Sequence, residues 1–325
     1  MASALTIGTF DGVHLGHAAL ARRAGELARA AGGRAIALAF DPHPMALLAP
    51  ERVPPRLSTF EERSRLLRGA GVDEVVRLEP TRELLGLDPE AFIAQLVERF
   101  APVAIVEGRD FCFGKARAGD VNTLADLGRR FGFACEIVPP VNVALTDQSI
   151  VTASSTLTRW LLSHGRVRDL ALVLGRHYRV SGDVVRGDRR GRTIGFPTCN
   201  IDPLVMLPAD GVYAAWGTLP DGRRLPAAVS VGDKPTFGGS ARTIEAYLIG
   251  APRGAGDAIA GLDEYGWPLE LDLVAWVREQ ARFASLDALL AQMQRDIERI
   301  EGVLADEAPE ADSRRARPAR STAHA

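Results

Sequence analysis

Short apolar runs alternate with longer amphipathic stretches through the first half of the chain. Residues 4–9, 34–40 (RAIALAF), 74–78 (EVVRL), 103–107 and 134–138 read as strands, with residues 16–31, 59–69, 89–100 and 124–131 as helices between them. Strand and helix in regular alternation predict a doubly wound parallel sheet with helices on both faces. Across residues 157–174 the apolar positions keep a helical period, at Leu157, Trp160 and Leu161 and again at Leu170, Val173 and Leu174. Beyond Tyr178 the pattern shortens. Residues 178–185, 211–219, 227–231, 243–248 and 269–277 form short alternating runs between Gly, Pro and Asp turns, which predicts an antiparallel barrel or sandwich. Residues 286–300 (LDALLAQMQRDIERI) read as an amphipathic terminal helix, and the tail, 304–325, is expected to be disordered. No internal repeat is visible, which argues against a duplication.

At 325 residues the chain has length for about two domains. The expected boundaries are 1–165, a linker over 166–177, and 178–303. Apolar residues at 46% and a net charge of −2 fit an ordinary globular protein without a pull toward nucleic acid or an anionic membrane. No apolar run reaches the ~20 residues of a membrane span. The three cysteines, Cys112, Cys135 and Cys199, are too scattered for a disulfide framework or a zinc site. A cytosolic protein, monomeric or weakly self-associating, is the expectation. Of the 39 basic residues only Lys115 and Lys234 are lysine, and neither completes the Gly-Lys-Ser/Thr ending of a P-loop. Any ATP bound here falls to arginine and backbone amides.

The strongest local signal is residues 6–17, TIGTFDGVHLGH. It sets His14 and His17 three residues apart where a strand meets a helix, so both rings share one helical face. Two imidazoles at a helix N-terminus, with Gly12 and Gly16 permitting close approach, suit a phosphate anion. The chemistry this implies is nucleotidyl transfer, in which charge on the transferring phosphoryl group must be stabilised. By itself the pair is also compatible with incidental surface histidines. The context favours a site: residues 40–44 (FDPHP), 106–119 (VEGRDFCFGKARAG) and 154–159 (SSTLTR) all fall at strand carboxyl ends or in the loops after them, where open parallel sheets bind ligands.

These segments, in order over roughly residues 4–165, resemble the FMN adenylyltransferase module of bacterial bifunctional riboflavin kinase/FAD synthetases, a branch of the HxGH nucleotidyltransferases. The resemblance implies that His14 and His17 stabilise the ATP phosphates and that Phe10, Asp11 and Gly12 shape the nucleotide pocket. It also implies that Asp110 contacts nucleotide or flavin, and that Ser155 and Arg159 hold the triphosphate. Ala153 and Thr158 stand where the family usually has Ile, and Cys112 where Arg is common.

A second constellation begins at residues 187–200, GDRRGRTIGFPTCN. Gly191 and Gly195 permit a loop whose amides face phosphate, and its arginines supply cations. After Pro197 an extended chain projects Thr198 and Asn200 from one face, two hard oxygen ligands suited to Mg²⁺ on ATP phosphates. Taken alone, this segment is better explained as a glycine-rich hairpin with solvated arginines. In residues 242–248, RTIEAYL, alternation puts Thr243, Glu245 and Tyr247 on one face, and Glu245 could accept the proton of an attacking hydroxyl.

GDxxGRTIGFPTxN, GVYAAW, SVGDKPTF, IEAYL and VREQARFASLDAL follow one another as in the riboflavin kinase module, a six-stranded barrel, over roughly residues 170–300. By that resemblance Thr198 and Asn200 bind Mg²⁺ and ATP phosphate, Glu245 activates the riboflavin 5′-hydroxyl, and Arg278 with the terminal helix lines the flavin site. Two departures stand out. A Gly/Ala-rich insert, residues 250–261, occupies the place of an Asp-Phe pair before Tyr265 and Gly266, and Gln280 stands where the family's glutamate is more often found. The reading is a bifunctional enzyme that makes FMN from riboflavin and ATP, then FAD from FMN and ATP. Its alternatives are a nucleotidyltransferase of other specificity with a degenerate kinase domain, and a non-enzymatic flavin-binding sensor.

Overall fold

The computed structural model describes residues 2–187, 189–236, 239–254 and 258–307. Most of the expected tail, and residue 237 at the end of the SVGDKPTF segment, lie outside them. The first part of the chain runs β1 (Ser3–Gly8), α1 (Leu15–Ala30), β2 (Arg34–Phe40), α2 (Met45–Leu48), α3 (Phe60–Ala70), β3 (Glu74–Leu78), α4 (Arg82–Gly86), α5 (Pro89–Phe100), β4 (Pro102–Gly108), α6 (Val121–Phe131) and β5 (Ala134–Val138). A small antiparallel pair, β6 (Asn142–Ala144) and β7 (Ile150–Thr152), then leads into α7 (Ser155–Ser163) and α8 (Val167–Leu174). The helical pattern over 157–174 is thus two helices, parted where Gly165 takes φ +68°. Residues 166–177, expected as a linker, carry α8, whose Val167, Leu170 and Val173 are buried.

The five strands pair in parallel in the order β3-β2-β1-β4-β5. In β2 the side chains alternate by size. Ala35, Ala37 and Ala39 face Ala21, Ala24 and Ala28 of α1, whereas Ile36 and Leu38 join Leu5, Ile93, Ile105 and Leu124 on the other side. The all-alanine seam lets α1 lie close to the sheet, and the large face supplies roughly 2 kcal/mol per buried Leu or Ile. Order reverses between β1 and β4, the switch point at which such sheets open a crevice. Pairing of β1 with β2 runs to Gly8↔Ala39, but pairing with β4 ends at Leu5↔Ile105, so β1 and β4 part there.

The second part contains β8 (Tyr178–Val185), α9 (Arg190–Thr193), β9 (Cys199–Pro203), β10 (Gly211–Thr218), β11 (Arg224–Thr236), β12 (Gly239–Leu248), β13 (Pro268–Arg278) and α10 (Leu286–Asp306). Its six strands close a barrel in the order β10-β11-β12-β9-β8-β13. In β12, Ile244, Ala246 and Leu248 are buried while Thr243, Glu245 and Tyr247 are partly exposed, as the alternation predicts. Helix α10 lays Ile300 and Leu304 against Val212, Ala214, Val274 and Val277. It extends past the predicted end at 300 because Leu304 continues the apolar stripe. The chain divides into two compact units, one of residues 1–183 with 202–209, the other of 184–201 with the chain from 210 onward.

Candidate active sites

The first site grows from the loop between β1 and α1. Phe10, Gly12 and Val13 all take positive φ, at +49°, +80° and +40°. For β-branched Val13 this is a strained conformation that persists only where its surroundings hold it. The restraints are explicit. Asp11 Oδ1 accepts the amides of Leu57 and Ser58, both at 3.0 Å, and Gly12 N–H donates to Ser58 Oγ at 2.9 Å. Arg176 donates to the carbonyls of Gly12 at 2.7 Å and Val13 at 2.9 Å. From α7, Ser155 Oγ donates to Asp11 O at 2.8 Å, and Arg159 Nη2 pairs with Asp11 Oδ2 at 2.5 Å.

This loop delivers His14 as the N-cap of α1 and His17 inside its first turn, with the two rings stacked at 3.7 Å. Gly16 makes the stack possible, since a Cβ there would lie 3.0 Å from the His14 ring. Phe10, fully buried, supports His17 edge-on at 5.3 Å. Among described helices of eight or more residues, α1 alone has neither a side-chain N-cap bond nor an acidic residue in its first turn. Its first amides and positive dipole end are therefore open to an anion.

Both imidazoles are neutral near pH 7. Burial pushes His14 down to about 4, helped by the Arg176 cation and opposed by Asp110. His17 is also held well below its usual value, by burial first and then by His14 and Arg176. Nδ1 of each ring is buried without a hydrogen-bond partner. Unsatisfied polar atoms of this kind mark a place where a ligand completes the bonding.

Asp110 stands exposed just beyond β4, near enough to influence His14. Arg159 reaches the same loop from α7, but its guanidinium is taken up by Asp11, by Pro55 O at 2.8 Å and by Ser155 O at 3.4 Å. Three contributors escaped the sequence reading. Arg176 holds the loop carbonyls, and buried Arg63 in α3 ties Thr9 O at 2.7 Å to Phe40 O at 3.0 Å. His43, in the FDPHP turn, feels both Arg159 and Asp11 and accepts Met45 N–H at its Nδ1. Only His43 carried a signal, its place after a strand end; the arginines sit in stretches with no motif. Glu107, at the end of β4, fills the gap between the parting strands and accepts Ile7 N–H at 2.6 Å. Burial drives its carboxyl well above the usual range.

The second site is a matter of strand register. Asn200 of β9 and Glu245 of β12 are direct cross-strand partners. Thr198, just ahead of β9, donates its hydroxyl to Glu245 Oε2 at 2.9 Å. On the other flank Glu245 lies opposite Ser230 of β11, whose hydroxyl accepts from Gln280 Nε2 at 2.9 Å. Gly187 passes over Asn200 so closely that a Cβ would fall 2.1 Å from its Nδ2. The loop between them turns through α9. Gly191 packs on Phe196 O, Gly195 takes φ +84°, and Arg192 and Arg189 pair with Glu264 at 2.6 and 3.2 Å. Arg278, expected beside flavin, clamps Asp296 of α10 through Nε at 3.0 Å and Nη2 at 2.7 Å. No cluster of three or more His, Cys, Asp or Glu side chains fit to hold a metal occurs among the described residues.

An open helix terminus at the switch point of a doubly wound sheet, joined in one chain to a barrel with a second, carboxylate-bearing oxygen cluster, defines a two-module transferase acting on nucleotide phosphates. The model of the FAD synthetase family matches residues 1–154 and that of the riboflavin kinase family residues 174–304. The bifunctional riboflavin kinase/FMN adenylyltransferase of Escherichia coli K12 is 35% identical, over 90% of both chains. The protein of that name from Listeria monocytogenes is 32% identical over 90% of this chain and 89% of its own. A crystal structure from Streptococcus pneumoniae described as a macrolide-efflux protein superposes with a TM-score of 0.79 at 29% identity, covering 92% of this chain and 93% of that one. The chain belongs to the bifunctional riboflavin kinase/FMN adenylyltransferase family. No helix among its described residues is long and apolar enough to cross a membrane.

Proposed function

We propose that the barrel unit phosphorylates riboflavin to FMN and that the first unit adenylylates FMN to FAD. The observation that supports this is convergence: His14 stacks on His17 beside an open helix end, and Asn200 and Glu245, distant in sequence, are cross-strand partners.

In the adenylyl transfer a phosphate oxygen of FMN attacks the α-phosphorus of ATP, and the bond to the β-phosphate oxygen breaks to release pyrophosphate. The α1 amides and the two imidazoles receive the phosphate charge. Because both rings are neutral and desolvated in the free protein, negative charge gained in the transition state is met by N–H donors already in place. Asp110 at the crevice edge is assigned to nucleotide or flavin, and Phe10, Asp11 and Gly12 give the loop its shape. Arg159 and Ser155 hold that loop from α7; Arg159 reaches a triphosphate only by exchanging its Asp11 partner.

In the kinase reaction Glu245 takes the proton of the riboflavin 5′-hydroxyl, whose oxygen attacks the γ-phosphorus of ATP as ADP leaves. Thr198 and Asn200 would hold Mg²⁺. The Thr198 hydroxyl already donates its proton to Glu245, which directs its lone pairs away from the carboxylate and toward a cation. Two protein oxygens suffice for an ion that keeps several waters, and Mg²⁺ bound there would neutralise charge on the transferring phosphate. Three unpaired cysteines and ATP as co-substrate favour work in the cytosol, as a monomer or weak homo-oligomer. Purified protein given riboflavin and Mg·ATP should yield both FMN and FAD on chromatographic separation. Absence of both flavins overturns the reading.

A further inference from the structure

The insert after the Glu245 strand departs from the family pattern, and residues 255–257 of it lie outside the described ones; its described residues are tied down by specific contacts. Ile249 and Ile259 are buried at its two ends. Arg253 pairs with Ile259 in an isolated antiparallel bridge, while Ala260 N–H donates to Pro252 O and Gly254 N–H to Ala258 O, each at 2.9 Å. Arg223 Nη2 anchors the far side on Ala260 O at 2.8 Å. This scaffold turns one side chain back toward the kinase motif. Arg253 Nη2 donates to Pro197 O at 3.2 Å, and its guanidinium lies 6.0 Å from the Tyr247 ring. Tyr247 in turn meets Phe196 edge-on at 5.4 Å.

Thr198 needs such support. Ladder pairing of β9 with β12 begins at Cys199, so the peptide that carries Thr198 lies outside it. Pro197 has no N–H with which to anchor itself. Its carbonyl, held by Arg253, is the remaining main-chain handle immediately before Thr198. The charge is felt locally: burial pushes the Cys199 thiol up to about 11, and Arg253 and Arg192 pull against that rise.

We propose that Arg253 is a positioning residue of the kinase site, fixing through Pro197 O and the Tyr247 face the peptide from which Thr198 reaches Glu245. The inference rests on the kinase reading above. Its test uses the full chain as wild type, Arg253→Met and Arg253→Lys, assayed separately with riboflavin plus Mg·ATP and with FMN plus Mg·ATP. Methionine removes donor and charge; lysine keeps both. For Arg253→Met, kcat for riboflavin should fall about 10- to 100-fold, the scale of a small displacement of a catalytic group. The KM for ATP should change less than about threefold, and FAD formation from supplied FMN should hold. Lysine should recover about fivefold or more of the lost rate, as a donor that still reaches one carbonyl. Thermal melting by circular dichroism confirms folding, and Arg253→Gln replaces the methionine variant if that one does not fold. Unchanged kcat, a raised KM for ATP with kcat intact, equal loss in both reactions, or no recovery by lysine overturns the proposal. A wild-type chain that makes no FMN overturns the kinase reading itself.

Discussion

The two phosphate sites solve one problem by opposite means. In the first unit the first turn of α1 carries no acidic residue: two neutral rings and an uncapped helix wait for charge, and a strained loop is held by Asp11, Ser58, Arg159 and Arg176. In the barrel the central group is itself a carboxylate, placed by ladder pairing between Ser230 and Asn200 and satisfied by the Thr198 hydroxyl. One site depends on desolvation and backbone strain, the other on sheet register. The difference follows from the chemistry: FMN brings a ready nucleophile that needs charge stabilisation, whereas the riboflavin hydroxyl must lose a proton.

The largest effect should come from removing the barrel's base. Glu245→Gln is expected to lower FMN formation about 100-fold or more and leave FMN-to-FAD conversion untouched, read by flavin chromatography. Loss of both reactions would show that the sites are not separate. Next, His14→Ala should reduce FAD formation about 100-fold, as removing one transition-state donor does, with FMN formation unchanged.

The third concerns pH. With its folded value lowered from 6.5 to about 4, His14 stays neutral where the unfolded chain takes up a proton. Between those values the unfolded state binds more protons, so stability falls as pH drops and the loss is complete below about 4. By pH 5 this costs the first unit about 2 kcal/mol from His14 alone. The described barrel unit contains no histidine. Hydrogen exchange at pH 7 and pH 5 should therefore show protection lost in β1 and α1 and retained in β10–β13. The smallest effect concerns the capped helix set against the open one. Ser154→Ala removes the acceptor of Leu157 N–H from α7 and should cost about 1 kcal/mol in thermal unfolding.

Much of this was legible in one dimension. Strands β2, β3 and β5 and helix α5 fall where periodicity puts them, because alternation at period two or 3.6 is a local property that survives folding. The HxGH pair was legible for the same reason, both rings being fixed by one helical turn. Short β6 and β7 escaped, since three-residue strands carry too few positions to show a period.

Local order thus decided the layers, the alanine seam, the rings at α1 and the alternation that turns Glu245 away from the barrel interior. Tertiary structure alone decided that Asn200 faces Glu245 across a ladder 45 residues apart in the chain, that Arg159 lands on Asp11, and that an insert returns Arg253 to Pro197. Such pairings are set by strand register and loop closure, which depend on the whole packed fold rather than on any window of residues.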